Sequence, residues 1–407
     1  MLRRGVLQPR HALIEEQACL MGEVKVRESG LRVGVLTFHR SLNYGSVLQA
    51  YALTRVLGSL GHKVEVIDYA PAAQAKMYST FEGSIELRSL LRNLRRAVYY
   101  PLLSARTKGF AQFRERHLPL SEKSYRDFGD FESLGERYDV VICGSDQIWN
   151  VNCADFSDVY LLPFSQGFRK VAYGPSLNRG DFAESENRTR YASLLRDFDW
   201  LSVRESSGKQ RLESLVGDDK PVKQVLDPTL LLSSAHYEDI CSSPVVDEPY
   251  IFLFTVNFRE DAIEAARVLA AGTGLPVVTL FTSDGAFRVL PPNYWSIRVS
   301  RQAKPEDFLS LVRNASYVVT NSFHGTAFSI IFRKEFFATY SSDANVGVRP
   351  DLRIADLLSM LELKDRAVCP RQLGGMISAS SIDYHAVEYL LAEHVNDSMS
   401  FLGLALA

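Results

Sequence analysis

Cysteine is scarce in this chain of 407 residues, which contains five in total. They stand at positions 19, 143, 153, 241 and 369, without a Cys-x-x-Cys pair. An odd number of scattered cysteines fits neither a disulfide framework nor a structural zinc site. The sequence therefore predicts a cytoplasmic protein that holds no metal.

Long apolar runs and an excess of charge are also missing. No apolar run reaches the roughly 18 to 20 residues that a membrane-spanning helix needs, and the N-terminal segment lacks the apolar core of a secretion signal. The chain has 46 Lys+Arg against 48 Asp+Glu, a formal net charge of -2 at pH 7. This balance calls for neither nucleic acid nor an anionic membrane as the main partner, so any anion-binding site must be local.

Glycine-rich phosphate loops are absent too, since the sequence has neither a Gly-x-Gly-x-x-Gly fingerprint nor a Walker A lysine. The sequence does contain short apolar segments that alternate with helical segments, a pattern typical of parallel α/β sheets. Because 407 residues exceed what one hydrophobic core usually supports, we predict an α/β fold. Its two Rossmann-like domains should face each other across a cleft.

The predicted domains occupy residues 31–235 and 248–375. A helical insertion at about residues 72–135 is rich in arginine; it either shapes access for an acceptor or forms an ordinary solvated face. Residues 1–30 are predicted to be a poorly ordered extension, with Met21 as a competing translation start. Residues 380–407 should form a closing helix and tail, and such a helix can cross back to the first domain.

A polar turn after an apolar strand carries His324. The turn also contains Asn321, Ser322, Gly325 and Thr326, and a helical segment follows it. In open parallel sheets ligands collect beyond the carboxyl ends of the strands, where the next helix offers unpaired N–H groups to an anion. The sequence therefore predicts an anion site here, although His324 could instead cap the helix.

Two further strand ends carry candidate cleft residues. Asn43, Tyr44, Gly45 and Gln49 follow the first strand, where they either contact a ligand or form only a tight turn. Another strand leads into a loop that contains Ser145, Asp146, Gln147 and Trp149. Asp146 is a candidate base, and Gln147 and Trp149 suit a sugar, whereas a capping aspartate and a core tryptophan are the structural alternatives.

Arg204 follows a further predicted strand, beside Glu205. A guanidinium at this position can bind a carboxylate or phosphate through two hydrogen bonds. The alternative is a salt bridge to a neighbouring acid such as Glu205.

Five ordered motifs, at residues 43–53, 144–149, 202–205, 226–229 and 322–326, make the chain similar to the polysaccharide pyruvyl transferase family. The resemblance spans about residues 31–362. It implies a GT-B-like fold and transfer of a pyruvyl group from phosphoenolpyruvate to two hydroxyls of a sugar. The products are a pyruvate ketal and phosphate, and no cofactor is expected.

The same resemblance assigns roles to individual residues. It implies that Arg204 and His324 anchor the donor, with Asn321, Ser322, Gly325 and Thr326 around them. Arg349, or else Arg353, would supply a third basic contact. His324 would donate a proton and Asp146 would accept one.

The resemblance also implies a sugar or lipid-linked glycan as acceptor, and the latter would bring the protein to the inner face of the membrane. Two other functions remain open at this point. One is glycosyl transfer from a nucleotide sugar, which uses the same two-domain fold. The other is glycan binding without catalysis.

Overall fold

The computed structural model describes residues 30–72, 74, 78, 81, 87–164, 167–256, 259–281, 297–340, 351–376 and 381–407. Within these residues the chain forms two parallel sheets with helices packed around them. The predicted α/β fold of two Rossmann-like, GT-B-like domains is therefore confirmed. The predicted extension at residues 1–30 lies outside the described residues, apart from Gly30.

The N-terminal sheet has seven described strands in the order β3-β2-β1-β4-β5-β6-β7, and all neighbouring pairs are parallel. The strands are β1 (Arg32–Leu36), β2 (Lys63–Tyr69), β3 (Leu120–Tyr125), β4 (Val140–Gly144), β5 (Arg169–Tyr173), β6 (Trp200–Val203) and β7 (Val222–Gln224).

The C-terminal sheet has six described strands in the order β10-β9-β8-β11-β12-β13, again all parallel. The strands are β8 (Ile251–Phe254), β9 (Val277–Leu280), β10 (Ile297–Ser300), β11 (Tyr317–Thr320), β12 (Glu335–Thr339) and β13 (Ala367–Val368).

The described α-helices surround both sheets. They are α1 (Tyr44–Ser59), α2 (Leu87–Val98), α3 (Tyr100–His117), α4 (Leu134–Arg137), α5 (Arg188–Arg196), α6 (Ser206–Val216), α7 (Ser234–Glu238), α8 (Glu260–Thr273), α9 (Pro305–Asn314), α10 (Phe323–Ile331), α11 (Leu352–Met360), α12 (Pro370–Met376) and α13 (Tyr384–Leu406). None of the helices in the described ranges is both long and apolar enough to span a bilayer.

The strand order reverses direction at one point in each sheet, between β1 and β4 and between β8 and β11. At such a point the loops that leave the two central strands diverge and open a crevice at the carboxyl ends. The loops after β1, β4 and β11 carry most of the predicted site residues, and Arg204 follows β6.

The two domains pack against each other through apolar and polar contacts. The buried ring of Tyr44 stacks on Phe308 with a centroid distance of 5.1 Å, and its hydroxyl donates to the Ala303 carbonyl at 3.0 Å. Helix α13 also connects them. Its Tyr384 hydroxyl bonds the Lys334 carbonyl in the second domain, while Ser398 accepts a hydrogen bond from the Leu226 N–H in the first, at 2.9 Å.

One element of the predicted helical insertion is a strand. Residues 120–125 form β3, which pairs with β2 at the edge of the sheet. The segment Leu-Ser-Glu-Lys-Ser-Tyr is mostly polar, so it lacks the apolar run by which buried strands are recognised. Its serines are used locally, because Ser121 and Ser124 both hydrogen-bond to Asp68.

Candidate functional site

The carboxyl ends of the two sheets meet at a buried cluster of charged side chains. Asp146 follows β4, Arg204 follows β6, and Asp227 lies shortly after β7 in the first domain. His324 lies in the first turn of α10, just after β11 of the second domain. Each of these side chains belongs to a residue that is at most 6% exposed, so they interact in a medium of low dielectric constant.

Asp227 is the centre of this cluster. Its Oδ2 accepts a hydrogen bond from Arg204 Nη1 at 2.5 Å and lies 3.6 Å from His324 Nε2. The second distance is that of an ion pair rather than a hydrogen bond. Ser145 Oγ also donates to Oδ2, at 3.2 Å, and Thr229 donates twice to Oδ1. One carboxylate thus brings together the two cationic groups that the sequence predicted to act in common.

The neighbours of Asp227 keep its carboxyl ionised. Burial alone would raise the pKa of this group, but His324, Arg204 and the hydroxyl of Thr229 outweigh burial. They hold the pKa of Asp227 well below its ordinary value. The carboxylate is therefore a permanent negative charge between two groups that are cationic when protonated.

Arg204 has donor atoms with no protein acceptor among the described residues. Its Nε and Nη2 are buried and unbonded, with Glu205 Oε2 4.0 Å from Nε and Asp146 Oδ1 3.7 Å from Nη2. The guanidinium stacks over the Phe323 ring at 4.5 Å. Unpaired buried N–H groups are costly, and an anionic ligand would satisfy them.

The salt bridge that was the structural alternative for Arg204 is present, but its shortest contact is to Asp227 rather than to Glu205. Glu205 Oε1 accepts from the Ser176 hydroxyl and from the N–H groups of Leu177 and Asn178, at 2.8 to 2.9 Å. Its carboxylate therefore fixes the loop after β5. The shorter contact of Arg204 is to Asp227.

The imidazole of His324 lies directly against Gly45 in the first turn of α1. A Cβ built on Gly45 would lie 1.9 Å from His324 Nδ1, so a larger residue has no room there. Asn43 caps this helix by accepting from the N–H of Gly45 at 2.9 Å. The start of a first-domain helix thus meets the start of a second-domain helix at the histidine.

The other predicted residues of the histidine loop build the start of α10. Ser322 is the N-cap and accepts from the Gly325 N–H at 3.3 Å, while Thr326 is fully buried and bonds the Ser322 carbonyl. A Cβ on Gly325 would lie 2.2 Å from Thr320 Oγ1. By helix geometry the N–H groups of the first turn have no partner one turn back, which favours an anion at this end.

Asp146 has an unusual backbone and a close partner. Its φ of 65° lies in the left-handed region, which non-glycine residues adopt infrequently. The Ser46 hydroxyl donates to Oδ2, and the Asp146 carbonyl accepts from the Ser176 N–H at 2.7 Å. This geometry turns the carboxylate towards Arg204. Ser46 was not identified by sequence reasoning, although it stands inside the 43–53 motif.

A further arginine lies beside Phe323. Arg353 is 6.0 Å from that ring and forms a two-fold hydrogen-bonded pair with Asp351. Burial would lower the pKa of Arg353, but Asp351 and the more distant Glu205 and Asp146 raise it overall. Arg349, the other predicted basic contact, lies outside the described residues.

A second carboxylate lies close to Asp146. Asp155 accepts a hydrogen bond from the Tyr78 hydroxyl at 2.6 Å, and its buried Oδ1 has no partner among the residues described. Burial raises the pKa of Asp155, and the charge of Asp146 adds to the rise despite hydrogen bonds from Tyr78 and Gln74.

Some predicted acceptor residues do not face the cleft. Trp149 is fully buried, donates its indole N–H to the Tyr160 carbonyl and packs on Phe198, so the predicted sugar contact is corrected to a core position. Gln49 is also fully buried, and its amide bonds Thr37 and the Ser46 carbonyl.

The remaining predicted cleft residues have structural partners. Asn321 bonds both backbone groups of Val256, and Gln147 accepts from the side chains of Asn150 and Asn178. Ser145 supports Asp227, and Tyr44 joins the domains. Within the described part of the chain no group of three or more His, Cys, Asp or Glu side chains is placed to hold a metal ion.

Fold and site together define a two-domain α/β protein of the GT-B-like class, with a buried ionic cluster shared by the two domains. The family model described as polysaccharide pyruvyl transferase matches residues 43–343, which is well over half of the chain. The chain therefore belongs to the polysaccharide pyruvyl transferase family, as the sequence motifs predicted. No curated protein sequence matches it.

Several solved structures share the overall outline at low similarity. The UDP-GlcNAc 2-epimerase of Methanocaldococcus jannaschii is 11% identical with a TM-score of 0.44, over 90% of this chain and 93% of that chain. The N-terminal domain of Candida albicans trehalose-6-phosphate phosphatase is 10% identical with a TM-score of 0.47, over 92% and 98%. The E. coli heptosyltransferase WaaC is 15% identical with a TM-score of 0.39, over 89% and 100%. These similarities are too low to support an argument about function.

Proposed function

We propose that the protein transfers a pyruvyl group from phosphoenolpyruvate to two hydroxyls of one sugar in a polysaccharide or its lipid-linked precursor. The observation that supports this most is the pairing of Arg204 and His324, one from each domain, on a single oxygen of Asp227. In this proposal a small molecule with two anionic groups contacts the donor atoms of these side chains that have no partner among the described residues. Family membership supports the reaction class.

In this proposal the donor is bound by groups whose N–H donors have no other acceptor. Arg204 has two buried donor atoms without an acceptor in the described part of the chain, and the first turn of α10 presents backbone N–H groups. Arg353, on the same aromatic ring, supplies further positive charge. In this proposal these groups bind the phosphate and carboxylate and stabilise the charge that develops as phosphate leaves.

The chemistry in this proposal is a sequence of proton transfers. His324 gives a proton to the methylene carbon of the donor, which becomes a methyl group next to an oxocarbenium-like centre. One sugar hydroxyl adds to that centre and loses its proton to Asp146. A second hydroxyl then displaces phosphate and gives its proton to His324, while Asp146 passes its proton to the departing phosphate. The ketal closes, and both side chains return to their starting states. Asp155, whose Oδ1 has no hydrogen-bond partner within the described ranges, is the competing candidate for the base.

The test is phosphate release from phosphoenolpyruvate with a panel of galactosides, glucosides and mannosaminides, followed by mass spectrometry of the ketal product. His324→Ala should reduce turnover by ~10²-fold or more with a nearly unchanged melting temperature. His385→Ala is the matched control, since His385 is an exposed histidine on α13. A fully active His324→Ala variant would remove the histidine from the mechanism.

A ligand-protection experiment separates the proposal from its alternatives. Phosphoenolpyruvate should raise the melting temperature of the wild-type protein, and UDP or GDP sugars should not. The opposite pattern would favour a glycosyltransferase. Protection by glycans alone, with no phosphate release, would favour a binding protein.

A further inference from the structure

Helix α6 begins two residues after Arg204, and its N-cap residue does not cap it. Glu205 occupies the N-cap position, but its side chain accepts no hydrogen bond from the helix. The Glu205 carboxylate instead binds the loop after β5, through the N–H groups of Leu177 and Asn178. The first N–H groups of a helix have no partner within the helix, so the start of α6 needs an acceptor from elsewhere.

The acceptor comes from the second domain. Asp356, on α11, accepts from the Ser206 N–H through Oδ2 at 2.5 Å and from the Ser206 hydroxyl through Oδ1 at 3.0 Å. Both carboxylate oxygens are therefore used on one residue of the first domain. A negative charge at the start of a helix is also favoured by the helix dipole. The second domain thus completes a helix of the first.

The same helix of the second domain also contacts the surroundings of Arg204. Arg353 precedes Asp356 by three residues, so the two side chains lie on neighbouring positions of one helix face. The Arg353 guanidinium is 6.0 Å from the Phe323 ring, and the Arg204 guanidinium is 4.5 Å from that ring. Helix α11 therefore reaches the arginine site at one position and the helix that follows Arg204 at another.

The position of Arg204 matters because its guanidinium has donor atoms to offer. Its Nε and Nη2 are buried and have no acceptor among the described residues. An anion gains most from such donors when they are already fixed in place, since less freedom is then lost on binding. The Gln224 amide bonds the Arg204 carbonyl at 3.3 Å, and the bonded Ser206 fixes the chain two residues further along.

We infer that Asp356 is a positioning residue for the anion site: from the second domain it fixes the start of α6 and thereby the segment that carries Arg204. The site is then complete only while the two domains are in contact. That the bound anion is phosphoenolpyruvate rests on the proposed function, whereas the action of Asp356 on α6 does not.

Hydrogen–deuterium exchange of the full chain tests the action on α6 without any ligand. In Asp356→Ala the N–H and hydroxyl of Ser206 lose their acceptors, so the amides of residues 205–210 should exchange ~10-fold faster than in wild type. Exchange in the buried strand β4 should stay as in wild type, which shows that the variant is folded. Equal exchange of residues 205–210 in both proteins would overturn the inference.

Asp356→Asn is the conservative variant. Its carbonyl oxygen can still accept from the Ser206 N–H, its amide can donate to the hydroxyl, and asparagine caps helices about as well as aspartate. The start of α6 should therefore exchange as in wild type. Fast exchange in Asp356→Asn, equal to that of Asp356→Ala, would contradict a role that depends on these two hydrogen bonds.

Donor affinity tests the effect on the anion site. Titration calorimetry with phosphoenolpyruvate should give a Kd ~10-fold higher for Asp356→Ala than for wild type, and a value near wild type for Asp356→Asn. A cap that acts only on stability would lower the melting temperature of Asp356→Ala without changing the Kd of the folded protein, and that result would overturn the positioning role. Asp218→Ala is the matched control, since Asp218 is exposed just past the other end of α6; it should match wild type in both measurements.

Failure of the inference and failure of the proposed function are distinguishable. If wild-type protein does not bind phosphoenolpyruvate, the proposed function is rejected, and inorganic phosphate becomes the probe of the anion site. Its affinity should then follow the same order among the variants. Equal phosphate affinity in wild type and Asp356→Ala would overturn the inference as well.

Discussion

At the scale of single residues, Gly45 determines how closely His324 approaches the first turn of α1. A Cβ built there would lie 1.9 Å from the imidazole Nδ1, whereas a Cβ on Gly58, near the end of the same helix, meets no neighbouring heavy atom within 4 Å. A substitution at Gly45 therefore tests the close contact between the domains, and a substitution at Gly58 tests only the ordinary effect of a glycine on helix stability.

We predict that Gly45→Ala lowers kcat/KM by ~10²-fold, because even a small displacement of an acid from its reacting atom is costly. Gly58→Ala should keep full activity and raise the free energy of unfolding by ~0.5–1 kcal/mol. The phosphate-release assay and urea unfolding measure the two effects. Equal activity in both variants would mean that the position of the imidazole does not limit turnover.

How far the sequence predicts a site residue depends on local geometry. Arg204 and His324 were predicted from their places after strands, and the structure brings them to one carboxylate. Asp227 was missed as a site residue, although it stands inside the 226–229 motif. Trp149 was placed wrongly, since a motif does not show which side of a loop enters the core. The roles of these side chains in a reaction remain predictions.

At the scale of secondary-structure elements, Asp68 joins the ends of three neighbouring strands. Its carboxylate accepts hydrogen bonds from His39 at 2.9 Å and Arg40 at 2.7 Å after β1, and from Ser124 in β3 at 2.5 Å. Burial would raise the pKa of Asp68, but these partners lower it well below its ordinary value. The group therefore favours the folded state whenever it is ionised.

The sign of the pH effect follows from that lowered pKa. The contribution of Asp68 is complete above the unfolded pKa of about 4 and is lost as the pH falls from there towards the folded pKa. We predict that Asp68→Asn costs ~2–4 kcal/mol at pH 7 and makes the fall of stability between about pH 5 and pH 3 less steep. Urea unfolding at each pH measures this.

Asp219→Asn is the control, since Asp219 is exposed; its stability curve should follow that of wild type. An Asp68→Asn variant with the wild-type slope would show that the carboxylate is not the group responsible for the acid sensitivity.

A strand could be predicted from the sequence where it is buried and therefore consists of a run of apolar residues. The strand at Val140–Gly144 is wholly buried, and its apolar residues identified it as a strand. β3, at the edge of the sheet, is held by hydroxyls and alternates buried with exposed positions, so it resembled the helices around it.

At the scale of the whole molecule, a buried hydroxyl is one of the contacts by which α13 connects the domains. Ser398 Oγ accepts from the Leu226 N–H at 2.9 Å, next to Asp227, and donates to the His394 carbonyl at 2.8 Å. We predict that Ser398→Ala costs ~1–3 kcal/mol of stability, since the buried N–H loses its acceptor. Thermal unfolding tests this against Ser400→Ala, an exposed serine two residues further, which should be neutral. Equal melting temperatures would contradict the bridging role.

Arg204 and His324 come from different domains, so an anion that contacts both side chains also holds the two domains together. By thermodynamic reciprocity, whatever tightens the contact between the domains must strengthen anion binding by the same factor, and whatever loosens it must weaken binding equally. Asp227 contacts both side chains through one oxygen, so this carboxylate belongs to the same coupling between the domains.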